Sequence, residues 1–278
     1  MEILVTGGLG FFGSFLVKAF NDRGNKCNVL DITENEGCPN QNSYIKADIR
    51  DYKAVKKACE GMEIVHHNVA QVPLAKNRKA FKSVNVDGTG NILKAALECG
   101  VKKVIYMSSS AVFGVPQHNP VKDSTVPNPK ESYGAAKYAG ELICEEYRRK
   151  GLDVTIVRPR TIMGHGRLGI FQILFEWIRE GRNVPVLGKG NNVYQFICAD
   201  DLANACILAG LRSGAATYNC GAEGFGSMRE VLENLCRHAG TGSKVVSVPV
   251  KLTTMAMEIT SRLGLSPLGP YHSMMYGR

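Results

Sequence analysis

Tyr133 and Lys137 frame the run Tyr133-Gly134-Ala135-Ala136-Lys137. The stretch from Glu131 to Lys150 is rich in Ala, Leu, Glu and Lys, which favours a helix. Helical residues at i and i+4 share a face, so the phenol and the ammonium point the same way. A free phenol has a pKa of about 10, too high for a base at neutral pH, and lowering it by about 3 units takes roughly 4 kcal/mol. A unit positive charge at about 4 Å, at an effective dielectric of about 20, supplies roughly that much. Tyr133 activated in this way can take the proton of a hydroxyl group. Removing that proton is half of the oxidation of a carbinol carbon. The other half needs a hydride acceptor.

The start of the chain is built to hold one. Glu2-Ile3-Leu4-Val5 is a short apolar run that reads as a buried strand, and glycines follow at positions 7, 10 and 13. Phe12, Phe15, Leu16, Ala19 and Phe20 then recur at helical spacing. In such a strand–turn–helix unit Gly7 allows the tight turn, Gly10 lets the backbone approach a pyrophosphate, and Gly13 lets the helix lie close to the strand. The helix start, with Phe11 and Phe12, presents N–H groups and a favourable dipole to the phosphates. Cys27-Asn28-Val29-Leu30-Asp31 reads as a second strand ending in an acid, placed to bind ribose hydroxyls. A carboxylate there repels a 2′-phosphate, so the expected cofactor is NAD rather than NADP.

With these motifs the chain resembles the extended short-chain dehydrogenase/reductase family, the group of NAD-dependent epimerases and dehydratases, from Met1 to about Gly240. Thr6 to Gly13 reproduces the family's opening motif. Ala47-Asp48-Ile49-Arg50-Asp51 is similar to its adenine contact, with Asp48 and Ile49 in the binding positions. Ile64 to Ala70 resembles the fourth strand along the cofactor, where Val69 and Ala70 are implied contacts. Asn85-Val86-Asp87-Gly88-Thr89-Gly90-Asn91 resembles a further family element, with Asn85 a cofactor position. Val104 to Gly114 is similar to the fifth strand, and counting back from Gly114 puts Ser109 in the catalytic slot. The resemblance implies that Ser109 holds the substrate oxygen whose proton Tyr133 takes. It also implies that Lys137 reaches the nicotinamide ribose, and that Tyr133, Lys137 and Pro159 border the cofactor.

Strand and helix patterns alternate from Met1 to Pro159, which predicts an α/β fold with a doubly wound parallel Rossmann sheet. The expected division is a NAD-binding domain over 1–160, with 193–215 returning to it, and a smaller, discontinuous C-terminal substrate lobe over 161–192 and 216–278. In that lobe, Leu168 to Arg179 reads as a helix whose Phe171, Leu174, Phe175 and Trp177 are core. Asp200-Asp201 begins a helix, where acids suit the dipole, and Ser227 with Glu230 forms a capping-box pattern. The tail from Lys251 to Arg278 carries Met255, Met257, Ile259, Leu263 and Leu265 and reads as an apolar cover for the substrate pocket.

The chain also departs from the family. Relatives that remove water or carbon dioxide from nucleotide sugars place an acid just after the catalytic Ser or Thr, whereas Ser110-Ala111-Val112 has none. The Ser109-Ser110-Ala111 sequence looks more like UDP-galactose 4-epimerase, with Ser110, Ala111, Thr161 and Tyr194 as substrate positions. Thr161 replaces the diphosphate-contacting Asn, and Tyr194-Gln195-Phe196 replaces Arg-Asp-Phe. Arg160, Arg167, Lys189 or Arg262 could restore a phosphate contact. Phe113 replaces the usual Tyr, and its missing hydroxyl leaves room for a wider or drier pocket. The reading that follows is an NAD-dependent nucleotide-sugar epimerase. The alternative is a net dehydrogenase of a less polar alcohol, resembling 3β-hydroxysteroid dehydrogenases. A sugar-nucleotide dehydratase ranks lower, and the intact Ser109, Tyr133 and Lys137 argue against a non-catalytic NAD sensor.

A net charge of +9 fits an acidic small-molecule substrate, with solvated helix faces as the plainer explanation. No nucleic-acid motif accompanies it, so no such partner is expected. His66 and His67 are strand neighbours on opposite faces and make poor co-ligands, so no metal is expected. Nine scattered cysteines without a Cys-x-x-Cys pair read as reduced thiols. Apolar runs fall well short of the roughly 18 residues of a membrane span, and Met1 leads straight into a strand with no signal peptide. A cytoplasmic location follows as an expectation. The resemblance further implies a homodimer formed through helices at Arg78 to Cys99 and Glu131 to Lys150, with Ala95, Ala96, Ala136, Ala139 and Ile143 as contact surface.

Overall fold

A computed structural model describes residues 1–34, 43–72, 78–166 and 170–250. The chain divides into two compact units, one formed by Met1–Gly164 with Ile197–Gly221, the other beginning at His165 and resuming at Ala222.

The first unit is an α/β Rossmann sheet, as the alternation predicts. Its strands are β1 (Ile3–Thr6), β2 (Cys27–Asp31), β3 (Ser43–Lys46), β4 (Ile64–His67), β5 (Lys103–Met107), β6 (Val154–Pro159) and the strand Ala216–Cys220. They lie in the order Ala216–Cys220, β6, β5, β4, β1, β2, β3, and every neighbouring pair is parallel. The order reverses between β1 and β4. In open α/β sheets the carboxyl ends of the strands flanking that switch form the ligand crevice.

The helices are α1 (Phe11–Asn21), α2 (Tyr52–Cys59), α3 (Arg78–Lys82), α4 (Thr89–Glu98) and α5 (Ser132–Arg149), followed later by Ala199–Leu211. They cover both faces, which is why the central strands read as continuous apolar runs. Leu4, Val65, Val104 and Ile156 pack with Ile92, Leu93 and Cys144 on one face. Ile3, Val5, Val29, Ile105 and Val157 pack with Leu16, Phe20, Leu202 and Cys206 on the other. Between α3 and α4 the backbone forms a π-helical segment, Ser83–Gly88. Such segments are rare and recur at functional sites.

Two boundaries differ from the sequence division. The sequence division places Ala216–Cys220 in the second lobe, but the segment runs in register with β6 from Ala216 opposite Thr155 to Cys220 opposite Pro159. The outer edge of β6 needs backbone partners, and this segment supplies them. Val193–Tyr194, assigned to the Rossmann domain, instead pairs antiparallel with Gly226–Ser227 in the second unit. Aromatic packing holds it there: the Tyr194 ring lies 4.9 Å from Phe196 and 6.3 Å from Phe171.

The second unit also contains the helix Ile170–Arg179, a parallel pair of strands Val184–Leu187 and Val245–Val248, and the helix Met228–Ala239. The capping box of Ser227 and Glu230 is formed, and Gly240 closes that helix in the left-handed conformation. Phe171 and Leu174 are buried. The tail 251–278, Leu168 at the expected helix start, and Arg167 and Arg262 lie outside the described residues.

Candidate active site

The glycine turn has the shape its chemistry requires. Gly7 has φ +69°, and a Cβ there would also crowd Val69 at 3.1 Å. A Cβ on Gly13 would overlap the Gly7 carbonyl oxygen, so only glycine lets α1 start this close to β1. Gly10 is the N-cap of α1 without a side-chain cap, and the first turn contains no acidic residue. An anion is therefore favoured at that helix start. Phe12 is 8% exposed and packs into the core, so its side chain supports the turn rather than facing a ligand. Phe11 packs its ring edge-on against Phe15 at 5.6 Å.

Asp31 sits at the end of β2 beside this turn. Its carboxylate accepts the Leu9 N–H at 3.0 Å and the Ile32 N–H at 2.8 Å, with Thr33 further out at 3.3 Å. The acid thus fastens the glycine turn to the strand end from which ribose hydroxyls would be bound. Turn, helix start and acid together fit a dinucleotide with a free 2′-hydroxyl.

The segment Asn85 to Asn91 works as a clamp. Asn85 is fully buried; its amide oxygen accepts the Gln71 N–H at 2.7 Å and its amide nitrogen donates to the Gln71 carbonyl at 3.1 Å. Asn91 donates to the carbonyls of Ile49 at 2.9 Å and Arg50 at 3.2 Å. The hydroxyl of Thr89 donates to the Asn85 carbonyl at 2.9 Å and meets His67 Nε2 at 3.0 Å. One helix thereby anchors the loop after β4, with Val69 and Ala70, and the loop after β3, with Asp48 and Ile49. Asn85 is engaged with backbone, so the structure gives it a positioning role for its neighbours. Ile49 is 2% exposed and packs into the core, so a ligand could meet only its backbone. Asp48 bonds Arg50 Nε at 2.9 Å, and that guanidinium holds its carboxyl below the usual carboxylate range. Thr89 and Asn91 were visible only as letters of a motif.

The candidate catalytic residues come from two adjoining elements. Ser109 follows β5 and caps a short 3-10 turn, Ser110–Phe113, accepting the Ala111 N–H at 3.2 Å. Glu131 caps α5 through Tyr133 N–H at 2.6 Å and Gly134 N–H, which fixes the turn carrying Tyr133. The half-buried Tyr133 ring meets Phe81 edge-on at 6.5 Å. Lys137 is 2% exposed and donates from Nζ to the Met107 carbonyl at 2.7 Å, two residues before Ser109. Its ammonium also faces the Tyr106 ring at 5.1 Å. Burial pushes Lys137 down to about 8, opposed by the neighbourhood of Cys144 and Glu141.

The candidate substrate positions divide. Ser110 accepts a hydrogen bond from Arg160 Nη1 at 3.3 Å, next to Ser109 and Ala111, so a cation stands at this strand end. Thr161 is half-buried on the short strand Thr161–Met163. Tyr194 is 5% exposed within the aromatic cluster of the second unit, so its side chain is core there. Pro159 ends β6 and is buried. Phe113 is also core, 4% exposed beneath the Arg158 guanidinium at 5.1 Å, so its missing hydroxyl does not widen a pocket.

Comparison with known proteins identifies the family. The model of the NAD dependent epimerase/dehydratase family matches residues 3–221. An uncharacterized protein, y4nG, of Sinorhizobium fredii is 53% identical over 99% of this chain and 70% of its own length. A 3beta-hydroxysteroid-dehydrogenase/decarboxylase, isoform 2, of Arabidopsis thaliana is 34% identical over 74% of this chain, which spans 40% of that protein. Among solved structures, the UDP-glucose 4-epimerase of Thermus thermophilus in complex with NAD is similar at a TM-score of 0.79. It is 29% identical, over 90% of this chain and 86% of that one. The chain belongs to the NAD dependent epimerase/dehydratase family, and it is an enzyme whose cofactor is NAD.

Proposed function

We propose that the protein is a nucleotide-sugar epimerase in which Ser109, Tyr133 and Lys137 form the catalytic set. When bound, NAD supplies the hydride acceptor and donor. Tyr133 takes the proton of a sugar hydroxyl and returns it to the same oxygen. The Ser109 hydroxyl donates a hydrogen bond to that oxygen and fixes its position. The Lys137 ammonium favours the phenolate.

The observation that carries this reading is the end of β5. It offers the hydroxyls of Ser109 and Ser110 and the Arg160 guanidinium, with no carboxylate in the segment. Elimination or decarboxylation calls for a further proton carrier. Glu131 stands two residues before Tyr133, but both its oxygens accept backbone N–H groups. Epimerisation returns one proton to one oxygen and needs no second acid. The guanidinium suits a phosphorylated substrate.

A net dehydrogenase acting on a less polar alcohol is the second reading. Its support is Tyr194, an aromatic core residue where the family resemblance implies a phosphate-contacting Arg, together with the similarity to the Arabidopsis protein. The test is to denature purified protein, assay the released cofactor, and incubate native enzyme with UDP- and GDP-hexoses. Retained NAD and sugar interconversion without net NADH are expected. An empty site, with stoichiometric NADH formed from a non-sugar alcohol, would favour the dehydrogenase.

A further inference from the structure

Glu141 lies one helical turn beyond Lys137 on α5 and is 2% exposed. Oε1 accepts the Ser108 hydroxyl at 2.5 Å and Arg158 Nε at 2.8 Å, while Oε2 accepts Arg158 Nη2 at 2.7 Å. Ser108 immediately precedes Ser109, and Arg158 immediately precedes Pro159. A single carboxylate therefore joins α5, the end of β5 and the end of β6, each at a residue adjacent to, or one turn from, a member of the candidate site. We propose that Glu141 is a positioning residue of the catalytic set: it fixes the Ser109 strand end and the Lys137 helix turn in one register, and sets its negative charge one turn from the Lys137 ammonium. This rests on the reading of Ser109, Tyr133 and Lys137 as catalytic.

The surrounding groups leave that charge to Glu141. On α5, Cys144 is pushed far up by burial and stays a neutral thiol. Tyr106 on β5 is likewise held neutral, and His67 on β4 is pushed down to about 3 by burial, with the Lys137 charge adding to the effect. Tyr133 is the group Lys137 serves. The Arg158 charge on β6 is matched by Glu141 itself in a bidentate pair.

Glu141→Gln keeps the shape and removes the charge. In the NAD-loaded protein, lysine side-chain NMR follows the ionisation of Lys137, with Lys137→Met as the assignment control. The midpoint of Lys137 deprotonation is expected to fall by about one pH unit, the effect of losing an anion one turn away. The alkaline limb of kcat should move down with it, and kcat should fall about tenfold or more with little change in KM. A double variant, Glu141→Leu with Arg158→Met, separates packing from positioning. Apolar replacement of a buried ion pair commonly preserves stability, so its melting temperature should approach wild type while kcat stays low; with both charges gone, the Lys137 midpoint should lie closer to wild type than in Glu141→Gln. A wild-type midpoint in Glu141→Gln, or wild-type kcat in the double variant, would overturn the proposal, and if Glu141→Gln fails to fold, the double variant decides alone. The lysine titration needs no substrate; an error in the catalytic reading would show instead as undiminished turnover of Tyr133→Phe.

Discussion

Lys137 is a cation inside the core of a protein, a placement that persists only when its donors and charge are answered. One donor goes to Met107, the Glu141 carboxylate one turn away favours the charged form, and the remaining capacity is left for the phenol and the ribose of the proposed site. The consequences separate cleanly by substitution. Tyr133→Phe should lower turnover by orders of magnitude with NAD still bound, because only the proton carrier is lost. Lys137→Met should weaken both turnover and NAD binding. Ser109→Ala should be more damaging than Ser110→Ala; the reverse order in steady-state kinetics would move the catalytic serine by one position. At the other end of the proposed cofactor site, Asp31 anchors Leu9; if it also binds the ribose hydroxyls, as proposed, NAD⁺ should bind far more tightly than NADP⁺. Isothermal titration of both nucleotides checks this, and equal affinity would remove Asp31 from the ribose.

At the scale of elements, the β1–α1 turn and α5 could be read because their requirements are local. A glycine that must approach a carbonyl, or a phenol and an amine one turn apart, leaves its mark within a few residues. The Asn85 clamp was less legible: its partners, Gln71 and Ile49, are distant in sequence, and the π-helical step that aims Asn85 has no compositional signature. The boundaries of the second unit failed for the same reason, since sheet membership of Ala216–Cys220 depends on which edge is vacant. Helix faces were misjudged too. Ala95, Ala96 and Ala136, expected to be surface, are buried, whereas Leu97 and Leu142 are 37% and 54% exposed. If the proposed homodimer forms through α4 and α5, Leu142 belongs to its contact. Leu142→Glu should then convert the dimer to monomer in light scattering without loss of helicity; a wild-type monomer at micromolar concentration would dismiss the dimer itself.

The folded molecule as a whole is expected to be acid-sensitive in a way that two adjacent histidines control. His66 and His67 are each 1% exposed, and burial pushes both down to about 3. His67 is bonded on both ring nitrogens, to Thr6 at 2.8 Å and Thr89 at 3.0 Å. Among the described residues His66 has no hydrogen-bond partner on either nitrogen, and it packs edge-on against Phe20 at 5.2 Å. In the unfolded chain both would titrate at about 6.5. Below that value the unfolded state binds protons that the folded state refuses, so stability rises with pH through this window and is lost as pH falls. Between about pH 7 and about pH 5 the loss amounts to roughly 2 kcal/mol per histidine. His66→Leu fills the same apolar site without an unpaired nitrogen, so it should hold or raise stability at neutral pH and remove about half of the acid loss. Urea unfolding of both proteins at the two pH values measures the difference directly. Parallel losses in wild type and variant would show that His66 is not a source of the acid sensitivity and leave His67 as the candidate.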